Sequence, residues 1–208
     1  MEKQLRKIVD KYKPAFSKGG KFGFLHSTFD AFETFLFVPN TVTRRGSHIR
    51  DANDLKRTMI IVIIALLPAL LFGMYNVGYQ HFAAIADPVS QAMWFKCWWY
   101  GFVRMLPMIL VSYIVGLGIE FAVAQHKGEE VNEGFLVTGL LIPMIMPIDI
   151  PLWILALAVA FSVVFGKEVF GGTGMNVFNP ALLARAFVFF AYTPKISGEQ
   201  VWIRGFSK

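Results

Sequence analysis

The most constraining feature of this chain is a set of apolar runs long enough to reach across, or part of the way across, a lipid bilayer. The first covers residues 59–79, 21 residues, against the roughly 20 that a helix needs to cross about 30 Å of hydrocarbon. Two further runs cover residues 102–125 and 151–165. Because backbone N–H and C=O groups must bond to one another inside lipid, each run predicts a helix. The expected fold is an all-α, polytopic membrane protein.

Two other apolar runs are too short to cross a bilayer alone. Residues 135–147 and 180–192 each count 13 residues; the first contains Pro143, and the second begins with Pro180 of an Asn-Pro pair. Short, proline-interrupted segments are typical of discontinuous helices, whose ends are tolerated only where they are buried in protein or line a cavity. The sequence therefore predicts about five transmembrane or half-membrane helices, with a cofactor or substrate site near the short ones. Asp149, in the turn after the first of them, is expected to be solvated.

The distribution of charge predicts the orientation of the chain. With 55% hydrophobic and 16% charged residues the chain is too apolar for a water-soluble domain. Of its 20 Lys and Arg residues, 12 lie in residues 1–57 beside six acids, which indicates a cytoplasmic, basic, amphipathic arm before a membrane domain at 58–208. The arm either packs on protein or lies on anionic lipid, and nucleic acid is a poor explanation of the charge. Without a signal-peptide run at the start, the first span is expected to act as the anchor.

Few side chains outside the C-terminal part of the chain point to chemistry. Cys97 is the only cysteine, so it can form neither an internal disulfide nor an iron–sulfur site, and it is expected to pack. The four histidines lack metal-ligand spacing, and no metal site is expected. Glu120 lies one helical turn after Gly116 at the end of the second run. It is either a functional acid at membrane depth or a carboxylate that pairs with Lys127 or Lys167.

The densest motif is KEVFGGTGMNVFNPALLARAF, residues 167–187. The glycines of GGTG allow the backbone to approach a ligand, while Asn179 followed by Pro180 is typical of an N-cap with proline at the first helical position. With Asn176 nearby, the free N–H groups of this helix start are expected to hold polar groups such as flavin carbonyls. An Asn-Pro-Ala helix start is also typical of channels with half-helices. The motif lacks the Lys-Ser/Thr ending of a phosphate loop, so no nicotinamide site is expected.

This motif, together with EVNEGFLVTG, TRRGSHIRDANDLKR and FGMYN, resembles the B-type membrane subunit of the sodium-translocating NADH:quinone oxidoreductases over almost the whole chain. The resemblance implies a six-subunit complex of the bacterial inner membrane that passes electrons from NADH through flavins to ubiquinone and exports Na+. It also implies two inverted repeats of about five spans each, of which this chain is the first. The D-type subunit of the Rnf ferredoxin:NAD oxidoreductase complex shares GG-x-G-x-N and Asn-Pro and is the alternative. A non-redox channel or transporter and an assembly scaffold stay open.

The resemblance also assigns two sites. Riboflavin is expected on the cytoplasmic side, held by Asn176, Asn179 and Pro180, with Gly172, Thr173 and Gly174 in the adjoining turn. The quinone site is expected at Gly116, Leu117, Glu120 and Phe161, where Leu117 replaces the second glycine of the family.

One cofactor of the family lies beyond the chain. FMN is expected on the threonine of an S-G-A-T motif that follows the counterpart of Val201 and Trp202, and this chain reaches Lys208 without that motif. Thr173 and Thr193 lack its surrounding residues. Either the chain is a fragment of a longer subunit, which we expect, or it has lost the covalent flavin and half of the fold; by itself it is not expected to be active.

Overall fold

Five long or medium α-helices and two single-turn 3-10 helices dominate the described part of the chain. The computed structural model describes residues 6, 9–11, 13, 14, 16, 29, 46, 55–87, 93–127, 134–198, 202 and 203. The α-helices are α1 (Leu55–Ala84), α2 (Trp94–Lys127), α3 (Phe135–Ile145), α4 (Leu152–Gly166) and α5 (Pro180–Ala191), and the 3-10 turns are Glu168–Phe170 and Thr193–Lys195. The predicted arm falls almost entirely outside the described residues, as does the loop at 128–133.

The prediction of an all-α, polytopic membrane protein is confirmed. Among the described residues, three helices are long and apolar enough to cross a bilayer, within Thr58–Ala84, Trp94–Lys127 and Leu152–Phe170, and two apolar helices are shorter. At 11 and 12 residues, α3 and α5 are each about 17–18 Å long, well short of the roughly 30 Å of hydrocarbon. Large apolar side chains such as Phe72, Ile114 and Phe190 are exposed, as expected for a surface that meets lipid.

The chain divides into two compact units. The first comprises Met1–Thr58 and Glu120–Glu133, and the second comprises Met59–Ile119 and Gly134–Lys208. Within the first, the rings of Phe16 and Phe29 stack with centroids 4.8 Å apart. The second unit contains the apolar helices except for the first turn of α1 and the last two turns of α2.

Glycines hold α1 and α2 together through direct backbone contact. A Cβ at Gly78 would overlap the carbonyl of Cys97, and a Cβ at Gly101 would overlap that of Met74. The earlier residue of α1, Met74, meets the later residue of α2, Gly101, while Gly78 meets Cys97. The two helices are therefore antiparallel and are in contact over one full turn. Small residues permit this approach between membrane helices. Cys97 has no exposed surface, which confirms that it is a packing residue.

Both long helices extend beyond the predicted spans. The stretch at 80–101, which lies between the first two apolar runs, is largely helical, because α1 continues to Ala84 and α2 begins at Trp94. The α1–α2 contact continues into this region, where the rings of His81 and Tyr100 stack with centroids 4.3 Å apart. With 34 residues, α2 is about 51 Å long and exceeds the hydrocarbon thickness.

The turn that joins the short helix α3 to the longer α4 is buried. Met146, Pro147, Ile148 and Ile150 are all buried, and Asp149 is half-buried. The turn thus packs into the apolar core around Asp149, which was expected to be solvated and keeps only part of its surface exposed. Enclosure of the turn by protein satisfies the rule that a short helix may end inside a membrane only where protein surrounds it.

The third element of this core is α5, which packs against both α3 and α4. Its buried face is made of small residues, Ala181, Ala184 and Val188, and α4 presents Ala158, which also has no exposed surface. Small side chains on both helices allow close packing. The starts of α3 and α5 and the end of α4 thereby lie around one cavity.

Candidate functional site

The start of α5 is capped as the sequence predicts. The side-chain Oδ1 of Asn179 accepts hydrogen bonds from the backbone N–H groups of Ala181, at 2.9 Å, and Leu182, at 3.5 Å. Its backbone carbonyl accepts from Leu183 N at 3.0 Å. Pro180 occupies the first helical position, where a missing N–H has no consequence. Asn179 as N-cap is confirmed.

This capping also corrects one expectation. The free N–H groups predicted at the helix start are not available, because Asn179 accepts from those of Ala181 and Leu182 and Pro180 has none. An N-cap side chain exists to satisfy these donors. A ligand at this helix start must therefore be held mainly by side chains.

The glycines of the preceding loop are required by backbone geometry. Gly171, Gly172 and Gly174 have φ angles of 111°, 96° and 92°, in the left-handed region that strains other residues. A Cβ at Gly172 or Gly174 would meet nothing within 4 Å. Their conformational freedom, and not lack of space, explains why glycine stands at these two positions.

Asn176 closes this loop on itself. Its Oδ1 accepts from the backbone N–H of Gly174 at 3.2 Å, and its Nδ2 donates to the carbonyl of Phe178 at 3.0 Å. Such a side chain to backbone bridge is the usual way in which asparagine shapes a turn. One amide N–H of Asn176 is left over from these two bonds, so the residue both shapes the loop and has a donor for a ligand.

The loop, the end of α4 and the starts of α3 and α5 line a partly open cavity of about 290 Å³. This volume is close to the lower end of the range for small-molecule sites, about 300–1,000 Å³. Four of the six residues predicted for the flavin line it: Thr173, Asn176, Asn179 and Pro180. Apolar walls are contributed by Val137, Leu141 and Phe178, among others. Gly172 and Gly174 shape the turn beside the cavity.

Two further polar groups of the cavity stand out by their burial. The hydroxyl of Thr173 is buried and has no hydrogen-bond partner among the described residues, and the methyl group of Thr173 lies where a Cβ of Gly134 would meet it at 2.7 Å. Lys167 lines the same cavity and is only 5% exposed. From the sequence, Lys167 was expected only as a partner for Glu120. Its position between the end of a membrane helix and a glycine-rich turn is the signal that could have marked it.

Among the residues predicted for the quinone, Gly116 has a clear structural role. A Cβ at Gly116 would overlap the ring of Phe135, which is 1% exposed. Tyr113, one turn earlier on α2, packs edge-on against the same ring and donates its hydroxyl to the carbonyl of Leu136 at 2.6 Å. Gly116 therefore lets α3 pack directly on α2.

The other predicted quinone residues have separate surroundings. The ring of Phe161 stacks on Phe187 of α5, with centroids 4.6 Å apart. Leu117 is half-buried against the core. Glu120 is 4% exposed and belongs to the first compact unit. The described contacts thus give Gly116 and Phe161 different aromatic partners.

A second cavity, of about 500 Å³, lies at the other end of α5. Its lining includes Arg185, Phe189 and Trp202, and the guanidinium of Arg185 lies 5.3 Å from the ring centroid of Trp202. This distance is within the range of a cation–π contact.

Comparisons with known proteins agree on one family. A sequence model described as the NQR2, RnfD, RnfE family matches residues 42–207. The chain is 43% identical over 219 residues to the B-type subunit of the Na(+)-translocating NADH-quinone reductase of Pseudomonas aeruginosa (strain LESB58), covering 95% of this chain and 54% of that protein. It is 43% identical over 217 residues to the corresponding subunit of Chromohalobacter salexigens, covering 96% and 53%. It is 42% identical over 219 residues to that of Azotobacter vinelandii, covering 95% and 54%. The chain thus spans about half the length of these relatives.

Proposed function

Because the chain belongs to the NQR2, RnfD, RnfE family, we propose that it works as the B-type subunit of a sodium-translocating NADH:quinone reductase and holds riboflavin in the cavity between α4 and α5. Its proposed partners are the other subunits of a six-subunit complex, ubiquinone, Na+ and the lipid bilayer of a bacterial inner membrane. The proposed location of the N-terminus is the cytoplasm. The single observation that carries the flavin assignment is the convergence of polar side chains on one cavity beside an Asn-Pro helix start.

The donors around the cavity suit a flavin ring. The polar edge of that ring presents two carbonyl oxygens and ring nitrogens, which call for N–H and O–H donors. The cavity offers the hydroxyl of Thr173, the amide groups of Asn176 and Asn179, and Lys167. Because Oδ1 of Asn179 is used in capping, its Nδ2 is the part of that side chain left for a ligand.

The rest of the cavity suits the apolar end of the same ring. Val137, Leu141 and Phe178 contribute hydrocarbon surface to the wall, which keeps water away from a bound ring. The loop also lacks a phosphate-binding ending, and riboflavin, unlike FMN, has no phosphate to bind. A bound flavin supplies the electron-transfer chemistry, while the chain supplies position, polarity and exclusion of water.

For the quinone we propose a site organised by the α2–α3 contact. The ring of Phe135 fills the space beside Gly116, so Gly116 would act on the quinone by fixing the separation of the two helices. Glu120 and Phe161 remain the proposed polar and aromatic members of the site. Covalent FMN is proposed for the part of the relatives that this chain does not cover.

The flavin assignment is tested by replacing the two asparagines in the full-length subunit of the purified complex. Asn176→Ala combined with Asn179→Ala is expected to deplete non-covalent riboflavin, measured by extraction and chromatography. Asn76→Ala, at an exposed position of α1, is the matched control and should retain it. Full retention of riboflavin in the double variant would remove this site from the proposal.

Asn179→Ser separates capping from ligand binding. Serine caps a helix about as well as asparagine but has no amide donor. We therefore expect Asn179→Ser to keep the stability of the subunit and still lower its riboflavin content. Normal riboflavin content in Asn179→Ser, with a loss in Asn179→Ala, would show that Asn179 acts only through the helix.

The alternative within the family is the D-type subunit of an Rnf complex, since the matching sequence model covers both kinds of subunit. The names of the relatives from Pseudomonas aeruginosa and Chromohalobacter salexigens favour the sodium-translocating reductase. A non-redox channel is distinguished more simply. The purified full-length protein should show a flavin absorption spectrum, and a colourless preparation that conducts ions would favour the channel.

A further inference from the structure

We propose that Lys167 is a positioning and tuning residue that raises the reduction potential of the flavin bound in this cavity. The inference rests on the function proposed above and concerns a residue to which that function gives no such role. Lys167 is 5% exposed and lines the cavity together with Thr173 and Asn179. Of the described residues that line the cavity, Lys167 is the one with an ionisable side chain.

The backbone of Lys167 is fixed on both sides, so the origin of its side chain is held in place. Its N–H donates to the carbonyl of Val163 at 3.2 Å, which ends α4. Its own carbonyl accepts from Phe170 at 3.2 Å and from Gly172 at 3.0 Å. The glycine-rich loop is thus built around the residue that carries the charge.

The effect of this charge on a bound ring has a definite sign. Two electrons and one proton added to a neutral oxidised ring leave one negative charge on it. A buried cation stabilises that charge far more than water would, because the surroundings have a low dielectric constant. Lys167 makes further interactions in the structure, and an ammonium has three N–H donors to share among them. Replacing it with a neutral residue removes one positive charge from the cavity wall and should disfavour the reduced form.

The experiment compares Lys167→Met, Lys167→Arg and Lys127→Met in the purified complex with the full-length subunit. Lys127 is an exposed residue at the end of α2 that is not part of the cavity lining, so its replacement removes the same charge without changing a lining residue. Riboflavin is added back to depleted complex, and its affinity is measured separately in the oxidised and dithionite-reduced states. Lys167→Met should lower the preference for the reduced form at least tenfold, which is about 30 mV in the potential of a two-electron couple. Lys167→Arg and Lys127→Met should leave the preference unchanged.

The outcomes separate this inference from the proposed function. An unchanged preference in Lys167→Met, an equal loss of affinity for both forms, or the same change in Lys127→Met would overturn the role of Lys167. A parent complex that binds no riboflavin at all would overturn the proposed function itself. If the parent complex binds riboflavin but the reduction potential does not depend on Lys167, the role of Lys167 is refuted and the proposed function is unaffected.

Discussion

The sharpest prediction concerns the backbone contact between α1 and α2. In Gly78→Ala the new methyl group meets the carbonyl of Cys97, and in Gly101→Ala it meets the carbonyl of Met74. Backbone atoms cannot rotate away as a side chain would, so the two helices must move apart along a full turn of contact. Overpacking of this kind costs typically about 1–3 kcal/mol, and backbone overlap places both variants near the upper end. Alanine regains about 1 kcal/mol of helix propensity, so each variant should lose about 2 kcal/mol.

The same helices contain matched controls. A Cβ at Gly73 of α1 or at Gly118 of α2 would meet nothing within 4 Å. Gly73→Ala and Gly118→Ala should therefore stabilise the helices by up to about 1 kcal/mol, through propensity alone. The change in stability is expected to have opposite signs in the two pairs of variants. A general effect of replacing glycine would therefore not explain the difference.

The assay is the thermal stability of the purified complex in detergent, with the full-length subunit carrying a fluorescent tag. A loss of about 2 kcal/mol corresponds to a fall of roughly 2–4 °C for a subunit about twice the length of this chain, because the entropy of unfolding grows with the number of residues. The double variant Gly78→Ala, Gly101→Ala should lose less than the sum of the single losses, because helices already separated by one methyl group accommodate the second. Indistinguishable behaviour of Gly78→Ala and Gly73→Ala would refute the reasoning.

Two further predictions concern the α2–α3 contact. Gly116→Ala should cost about 1–3 kcal/mol by pushing the ring of Phe135 and should raise the KM for quinone. Phe135→Leu in the same chain should recover part of the stability, whereas strictly additive losses in a double-mutant cycle would contradict the contact. Tyr113→Phe removes the hydrogen bond to the Leu136 carbonyl and should cost about 0.5–1.5 kcal/mol in the same thermal assay, while a loss as large as that of Gly116→Ala would mean that the ring itself has moved.

Features of the fold that depend on local rules were accessible from the sequence. The apolar runs reveal the membrane helices because the hydrocarbon thickness sets their length. The two short runs predicted helices with an end buried in protein or beside a cavity, as found for the end of α3 in the buried turn and for the start of α5 at the cavity. Asn179 and Pro180 predicted the start of α5 because a cap and a missing N–H act within one helical turn.

Helix extents depended instead on contacts distant in the sequence. The run at 59–79 gave no sign that α1 would continue to Ala84. The additional turns continue the α1–α2 contact beyond Gly78, through the stacked rings of His81 and Tyr100. Such pairings are not encoded in a hydropathy pattern. The burial of the turn around Asp149 was missed for the same reason, because it depends on packing into the core.

The sequence identified most residues of the candidate site, but it did not show which of their donors bind the backbone and which remain for a ligand. The asparagines of the motif were expected to bind a ligand, and the structure shows that both also hold their own backbone in place. Which donors remain depends on how the loop folds back over the cavity, and the pattern GGTGMN does not contain that information. Lys167 became a member of the site only when its burial and its place on the cavity wall were known.

The capping of α5 has a consequence for recognition. A ligand that took the N–H groups of Ala181 and Leu182 would have to displace Asn179 from them, and the loss of an N-cap costs typically about 1 kcal/mol. A ring that instead accepts from Thr173, Asn176 and Lys167 leaves the cap intact and satisfies a buried hydroxyl that has no partner among the described residues. Binding through the loop is therefore favoured over binding at the helix end. Thr173→Val removes only the hydroxyl of a loop side chain, so it should lower the affinity for riboflavin without changing the stability of the helix, and a normal affinity in this variant would contradict binding through the loop.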